Sequence, residues 1–160
     1  MNGTPPRSRI EILVDADACP VKDEIYRVAE RAGVRVVVVA NRHILVPKAD
    51  YIERMTAAPT PDAADDLIAA RAGADSVVVT SDIPLASRCV KAGARVVAPN
   101  GDVLTEANVG LALATRDLMS DLRAQGETTR GPRAFSPRDR SRFLSALDQA
   151  VRRLARRASP

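Results

Sequence analysis

The sequence predicts an α/β fold built on a mainly parallel sheet, and three observations carry that prediction. Short Val-rich runs alternate with Ala-rich runs of helical period, as strands and helices do when they take turns along a chain. The handover from Ala-Gly to a Val-rich run occurs three times, at Ala32-Gly33, Ala72-Gly73 and Ala92-Gly93. Each reads as a helix end passing into a strand, and successive units of this kind imply right-handed crossovers. Aromatic residues are only 2% of the chain, so the core has to be assembled from Val, Leu, Ile and Ala. A length of 160 residues suits a single domain, placed at 10–158 behind a flexible N-terminal tail over 1–9.

The elements follow in order. The apolar run Ile10-Glu11-Ile12-Leu13-Val14 stops at Asp15 and Asp17, and Pro20 then opens a helix. Ile25, Val28, Ala29 and Ala32 recur at helical spacing, and Gly33 closes that helix with a left-handed cap. Residues 35–40 form a strand apolar on both faces, as central parallel strands are. Residues 43–61 are less regular: 51–56 read as a short strand and Pro59-Thr60-Pro61 as a loop. Asp62 starts a helix that runs to Gly73. Ser76-Val77-Val78-Val79-Thr80 is the next buried strand, stopping at Ser81-Asp82. Ile83-Pro84 opens a helix with Leu85, Ala86, Cys89 and Val90 on one face, and 95–98 form a further strand. A longer helix over 105–125 carries Leu111, Ala114, Leu118 and Leu122 on one stripe. After a loop from Gly126 to Ala134, Ser136-Pro137-Arg138-Asp139 has the features of a capped helix start. Phe143, Leu147, Val151 and Leu154 give that last helix a buried stripe, and Arg142, Arg152, Arg153, Arg156 and Arg157 an outer basic face.

The formal net charge of +4 is unevenly spread: −2 over residues 1–120 and +6 over 121–160. An acidic body with a basic tail suits an anionic partner held beside a carboxylate site, although a solvated arginine face explains the same run. Two cysteines make no disulfide framework. The polar start lacks the apolar stretch of a secretory signal, and no run approaches a membrane span, so a reduced cytoplasmic protein without a membrane partner is expected.

The acidic residues are grouped. Asp15 and Asp17 follow one strand, Asp82 follows another, and Asp62, Asp65 and Asp66 fall in the first turn of a helix between them. In a parallel sheet, strand ends and the starts of the following helices share one edge. Two carboxylates about 5 Å apart repel by roughly 3 kcal/mol at an effective dielectric near 20. A cluster of four calls for protonation or a cation, and Mg²⁺ or Mn²⁺ suits an all-oxygen set. With His43 as the one histidine, a His-rich zinc site is not expected. Helix capping accounts equally well for Asp62, and in part for Asp82 ahead of Pro84. Asp15 is different, because a lone charge at the end of a buried strand is costly.

Lys22, Asn41, Thr80 and Ser81 lie near the same edge and are candidates to touch a phosphate or orient a carboxylate; each is also an ordinary turn or surface residue. Cys19 reads as a small residue ahead of Pro20 rather than a reactive thiol, and His43 has no visible partner.

Several separated stretches together resemble one bacterial family, YaiI/YqxD. They are Val14-Asp15-Ala16-Asp17-Ala18-Cys19-Pro20-Val21-Lys22, Asp62-Ala63-Ala64-Asp65, Thr80-Ser81-Asp82-Ile83-Pro84-Leu85-Ala86, and the run from Gly131 to Arg140. Asn108-Val109-Gly110, Arg116-Asp117-Leu118-Met119 and Leu122-Arg123 fit as well, and the resemblance covers roughly residues 10–150 in the same order. One departure is Thr128-Thr129-Arg130, where the family's loop is glycine-rich. The family is similar to PIN-like domains, which implies a three-layer sandwich: a central, mainly parallel sheet between helices, with C-terminal helices added. It also implies acidic residues at strand ends that bind Mg²⁺ or Mn²⁺ for RNA cleavage. On that pattern Asp15, Asp65 (or alternatively Asp62 or Asp66) and Asp82 are the matching acids, and Asp17 is additional.

The leading expectation is therefore a metal-dependent nuclease acting on RNA or single-stranded nucleic acid. Asp15, Asp17, Asp65 and Asp82 are its catalytic set, Asp62 joins them as a metal ligand, and Arg130, Arg133, Arg138 and Arg140 grip backbone phosphates. Scarce aromatics argue against base stacking and sequence-specific readout. Two alternatives stand. One is a phosphatase of the haloacid-dehalogenase type using Asp15 and Asp17 as nucleophile and acid, although its later acidic motif should follow Thr80 rather than precede it. The other is a non-catalytic RNA-binding module with a structural metal.

Overall fold

A computed structural model of the chain describes residues 9–17, 19–126 and 134–158. Its elements are β1 (Glu11–Asp15), α1 (Lys22–Ala32), β2 (Arg35–Ala40), β3 (Ile52–Thr56), α2 (Ala63–Arg71), β4 (Ser76–Val79), α3 (Ile83–Lys91), β5 (Arg95–Val97), β6 (Val103–Leu104), α4 (Val109–Ala124) and α5 (Pro137–Ala158). The strands form one six-stranded sheet in the order β3-β2-β1-β4-β5-β6. Every pairing is parallel except that of β5 with β6. The predicted α/β class and mainly parallel sheet are the observed ones.

Helices cover both faces, so the architecture is a three-layer sandwich. Alternation along β1 divides its side chains: Ile12 and Val14 enter the core beneath α1 and α5, whereas Leu13 enters the core beneath α2 and α3. Phe143, Leu147, Val151 and Leu154 of α5 close the first core, as their spacing predicts. A capping box starts α5: the Ser136 backbone N–H donates to Asp139 Oδ2 at 3.0 Å, and the Asp139 N–H donates to Ser136 Oγ at 3.2 Å. Gly33 ends α1 at φ 71°, a conformation that favours glycine and lets its N–H reach the carbonyls of Ala29 and Glu30.

Two features depart from the sequence reading. The two-residue strand β6 is an antiparallel addition that pairs Leu104 with Val96 and Val103 with Val97. The turn leading to it needs Gly101, at φ 94°, where a Cβ would sit 2.7 Å from Cβ of Arg142. The second departure is α4, which starts at Val109 rather than near 105 and buries only Val109. Its apolar stripe is open: Leu111 is 75% exposed and Leu118 57%. No helix among the described residues is long and apolar enough to cross a membrane.

Candidate active site

The order of the strands fixes where a ligand can enter. From β1 the chain steps one way to β2 and β3, and later returns on the other side of β1 with β4 and β5. The carboxyl ends of β1 and β4 therefore flank a topological switch point, where adjacent crossovers part to opposite faces and leave a crevice. Asp15 is the last residue of β1, and Thr80, Ser81 and Asp82 follow β4 directly.

Pleating decides which way Asp15 faces. It shares a side of β1 with Glu11 and Leu13, the side covered by α2, and Glu11 indeed meets Arg71 of α2 at 2.8 Å. Asp15 thus stands on the face where the N-terminus of α2 presents Asp65. Thr80, only 1% exposed, donates its hydroxyl to Asp15 Oδ2 at 2.7 Å. Thr80 Oγ1 itself accepts the backbone N–H of Asp82 at 3.0 Å. One buried hydroxyl therefore ties the ends of both strands together. Asp82 in turn accepts the N–H of Leu85 at 3.0 Å, so it caps α3 with one oxygen and belongs to the acidic group as well.

The electrostatics show that these acids share one field. Burial raises the pKa of Asp15 above the usual carboxylate range; the Thr80 hydrogen bond works against this, and the charges of Asp82 and Asp17 add to it. The Asp65 carboxyl is pushed up to about 6, first by burial and then by the charges of Asp82, Asp15 and Asp62, with Arg88 opposing. Three separate chain segments thus bring Asp15, Asp65 and Asp82 within electrostatic reach of one another, with Asp17 and Asp62 at the rim.

The remaining residues fall into place around this centre. Asp62 precedes α2 but makes no side-chain cap, so capping does not account for it. Asp66 pairs with Arg88 at 2.9 Å on the exposed side, which leaves Asp65 as the acid of α2 that meets the others. Asp17 is exposed at the loop and lies 3.8 Å from the Arg42 guanidinium. Lys22 begins α1 next to that loop, and Ser81 is exposed at the crevice. The Asn41 amide donates to the carbonyls of Ala58 and Thr60, at 3.1 and 2.7 Å, and so holds the loop leading into α2. Arg138 is exposed in the first turn of α5. Arg130 and Arg133 lie outside the described residues.

Arg140 is engaged by the protein itself, although its side chain is 43% exposed. Its guanidinium donates to Glu24 Oε1 at 2.6 Å and to the Pro20 carbonyl at 3.2 Å, and stacks 5.0 Å from the centroid of the Phe135 ring. It braces α5 against the loop that carries Asp15 and Asp17. Sequence reasoning missed its partner Glu24, a buried acid of α1; its place among polar neighbours in the first turn gives no local sign of burial. Burial pushes the Cys19 thiol above its ordinary pKa, the opposite of what a reactive thiolate needs. The Arg54 guanidinium donates to His43 Nε2 at 3.0 Å in an exposed contact.

The donor set suits a hard cation: carboxylate oxygens with a buried hydroxyl behind one of them, and side chains whose ionisation is resisted by their neighbours. Among the described residues, however, no three Asp, Glu, His or Cys side chains close into a ready coordination shell.

The family model described as "Uncharacterized BCR, YaiI/YqxD family" matches residues 13–153. A UPF0178 protein of Nitrobacter winogradskyi is 67% identical over 92% of this chain and 94% of its own length. Another, of Rhodopseudomonas palustris strain BisB18, is 64% identical over 93% of this chain and 96% of its own. One of Azorhizobium caulinodans is 61% identical over 92% of each. No solved structure matches the chain.

Proposed function

The chain belongs to the YaiI/YqxD family, and from that premise we propose that the protein is a divalent-metal-dependent nuclease that hydrolyses phosphodiester bonds in RNA or single-stranded nucleic acid. The observation that carries this reading is the shared field of Asp15, Asp65 and Asp82 at the switch point of the sheet. Asp82 raises the pKa of both Asp15 and Asp65, carboxylates crowded in this way favour a cation between them, and a polyanionic substrate needs that cation in order to approach them.

Asp15, Asp65 and Asp82 would share Mg²⁺ or Mn²⁺, one or two of them ligating it directly and the rest, with Asp17 and Asp62, reaching it through water. Bound there, the ion supplies Lewis acidity: it neutralises a phosphate oxygen and makes water a competent nucleophile at neutral pH. The protein's own contribution is orientation. Thr80 fixes the rotamer of Asp15, the cap to Leu85 fixes Asp82, and Arg88 counters part of the repulsion on Asp65. Lys22 and Ser81 flank the crevice where the scissile phosphate would lie, and Arg138 is placed to meet the backbone farther along.

The test is degradation of mixed RNA and DNA substrates with Mn²⁺, run beside Asp15→Asn. Single-stranded substrate should be cut, and the variant should lose more than about 100-fold of that rate, beyond the usual loss for an outer-shell change. Equal degradation by both proteins would mark the activity as contamination and remove this reading. An acid-labile phosphate on Asp15 would move the assignment to a phosphatase. Salt-sensitive RNA binding with no turnover under any divalent ion would move it to a binding module.

A further inference from the structure

The open stripe of α4 borders a concavity. A depression of about 630 Å³ lies between α4, β6 and the start of α3. A second, of about 310 Å³, is bounded by Pro20, Ser81 and Phe135. Ile83 and Asp102 line both, so the two meet and form one groove. One end opens at Ser81, beside Asp82 of the acidic centre. The other is flanked by Arg123 of α4 and by Arg116, which pairs with the exposed Asp117 at 3.1 Å and would exchange that contact for a phosphate. Between them the walls are mostly apolar, with Leu111 and Met119 on one side and Val103 on the other, and Asn108 and Thr115 as polar exceptions.

This sequence of surfaces has the chemistry of a nucleotide strand. A strand alternates charged phosphate with a flat, largely apolar base. The groove alternates a cation-demanding acid cluster, an apolar stretch, and two guanidinium groups. The one acid on its floor, Asp102, is countered by Arg142 at 3.2 Å and by the Asn100 amide at 3.1 Å, so it does not repel an anion as a bare carboxylate would. The volume falls within the roughly 300–1,000 Å³ typical of small-ligand sites, enough for one or two nucleotides. A groove meant only for another apolar helix has no need of arginines at one end and an acidic centre at the other.

We propose that the groove between α4 and β6 holds the nucleotide adjacent to the phosphodiester at the acidic centre, with its base on Ile83, Leu111 and Met119 and its phosphate on Arg116 and Arg123. This rests on the nuclease reading of the acidic centre. An unpaired base is required on the apolar floor, so the groove selects single strands. A methionine and leucine surface is adaptable and lacks donors or acceptors, so it does not discriminate among bases.

The experiment separates binding from chemistry. Anisotropy of a 5′-labelled ten-nucleotide oligouridylate, with the full chain in EDTA, measures the groove. Mn²⁺-dependent cleavage of the same oligomer, and of bis(p-nitrophenyl) phosphate, which carries no second phosphate for Arg116 and Arg123, measures the acidic centre. The double variant R116A/R123A and the single variant Met119→Glu should each weaken oligomer binding by about fivefold or more and raise its KM. Both should leave hydrolysis of the small ester unchanged, and Asp15→Asn should bind the oligomer at least as well as wild type. Residues 116, 119 and 123 are all exposed, so the variants should fold. Oligomer affinity unchanged in both α4 variants, with Asp15-dependent cleavage intact, overturns the groove and leaves the nuclease standing. Groove-dependent binding without Asp15-dependent cleavage of either substrate supports the groove and overturns the nuclease. A dimer that Met119→Glu converts to monomer, with oligomer affinity unchanged, overturns the proposal in favour of self-association.

Discussion

The two faces of the sheet are built to different ends. Beneath α1 and α5 the core is sealed: Phe143 and Leu147 are fully buried, the capping box closes the start of α5, and Arg31 reaches from α1 to Asp148 of α5 at 3.2 Å. Beneath α2, α3 and α4 the layer carries acids that repel one another and a helix whose leucines face water. The contrast between α5 and α4 is sharpest because both have an apolar stripe at helical spacing, yet only one stripe is covered. Periodicity shows that a helix has an apolar side; whether that side is buried depends on what the topology places opposite it. Both faces carry a buried core, but the exposed stripe and the candidate acids Asp15 and Asp65 belong to the second.

The largest effect should come from the sealed face. Phe143→Ala empties a filled position and should cost about 3–5 kcal/mol in urea unfolding, and a loss under about 1 kcal/mol would mean that the two faces are not so unequal. Next is the brace between them and the acidic loop. Arg140→Met leaves Glu24, whose side chain is 9% exposed, without its guanidinium, and should cost about 2 kcal/mol. Adding Glu24→Leu should recover most of that loss, because both buried polar partners are then gone.

On the acidic face the sign reverses. Asp65 has its pKa raised to about 6 in the folded protein, above its value in the unfolded chain. The folded state therefore binds the proton more tightly. The contribution of this group to stability is greatest at low pH and is lost as pH rises through about 6. Asp65→Asn should accordingly raise the melting temperature of metal-free protein at pH 7.5, and the gain should vanish near pH 4. Mn²⁺ should stabilise wild type more than the variant, through binding to the folded state. The smallest effect belongs to α4: Leu118→Ser should change stability by less than about 0.5 kcal/mol. A larger loss in dilute solution would show that the stripe is covered after all.

Much of this was legible in the residues, for identifiable reasons. The Ala-Gly to valine rhythm places β2, β4 and β5, and even the irregular Tyr51–Thr56 stretch forms a strand. Strand ends in aspartate pointed to Asp15 and Asp82, because a charge closing a buried run has to be accounted for. The choice among Asp62, Asp65 and Asp66 was not legible, since it depends on how α2 is rotated over β1. The partners of Asn41 and Arg140 were hidden for a related reason: each lies on a segment distant in sequence, at Ala58 and Thr60 for one and at Pro20 and Glu24 for the other. β6 is two residues long, too short to show any alternation.

The rims of the sheet have one more consequence. A core made so largely of valine and isoleucine is the composition from which cross-β fibrils are assembled, and an open α/β sheet always has two edges. Here β6 offers only a two-residue template, and β3 carries Glu53 in ion pairs with Arg35 and Arg71, at 3.3 and 3.6 Å. A stray strand docking on either margin would find little backbone to pair with on one side and a knot of fixed charge on the other. A short strand at one margin and fixed charge at the other are the devices that discourage edge-to-edge pairing of such a sheet.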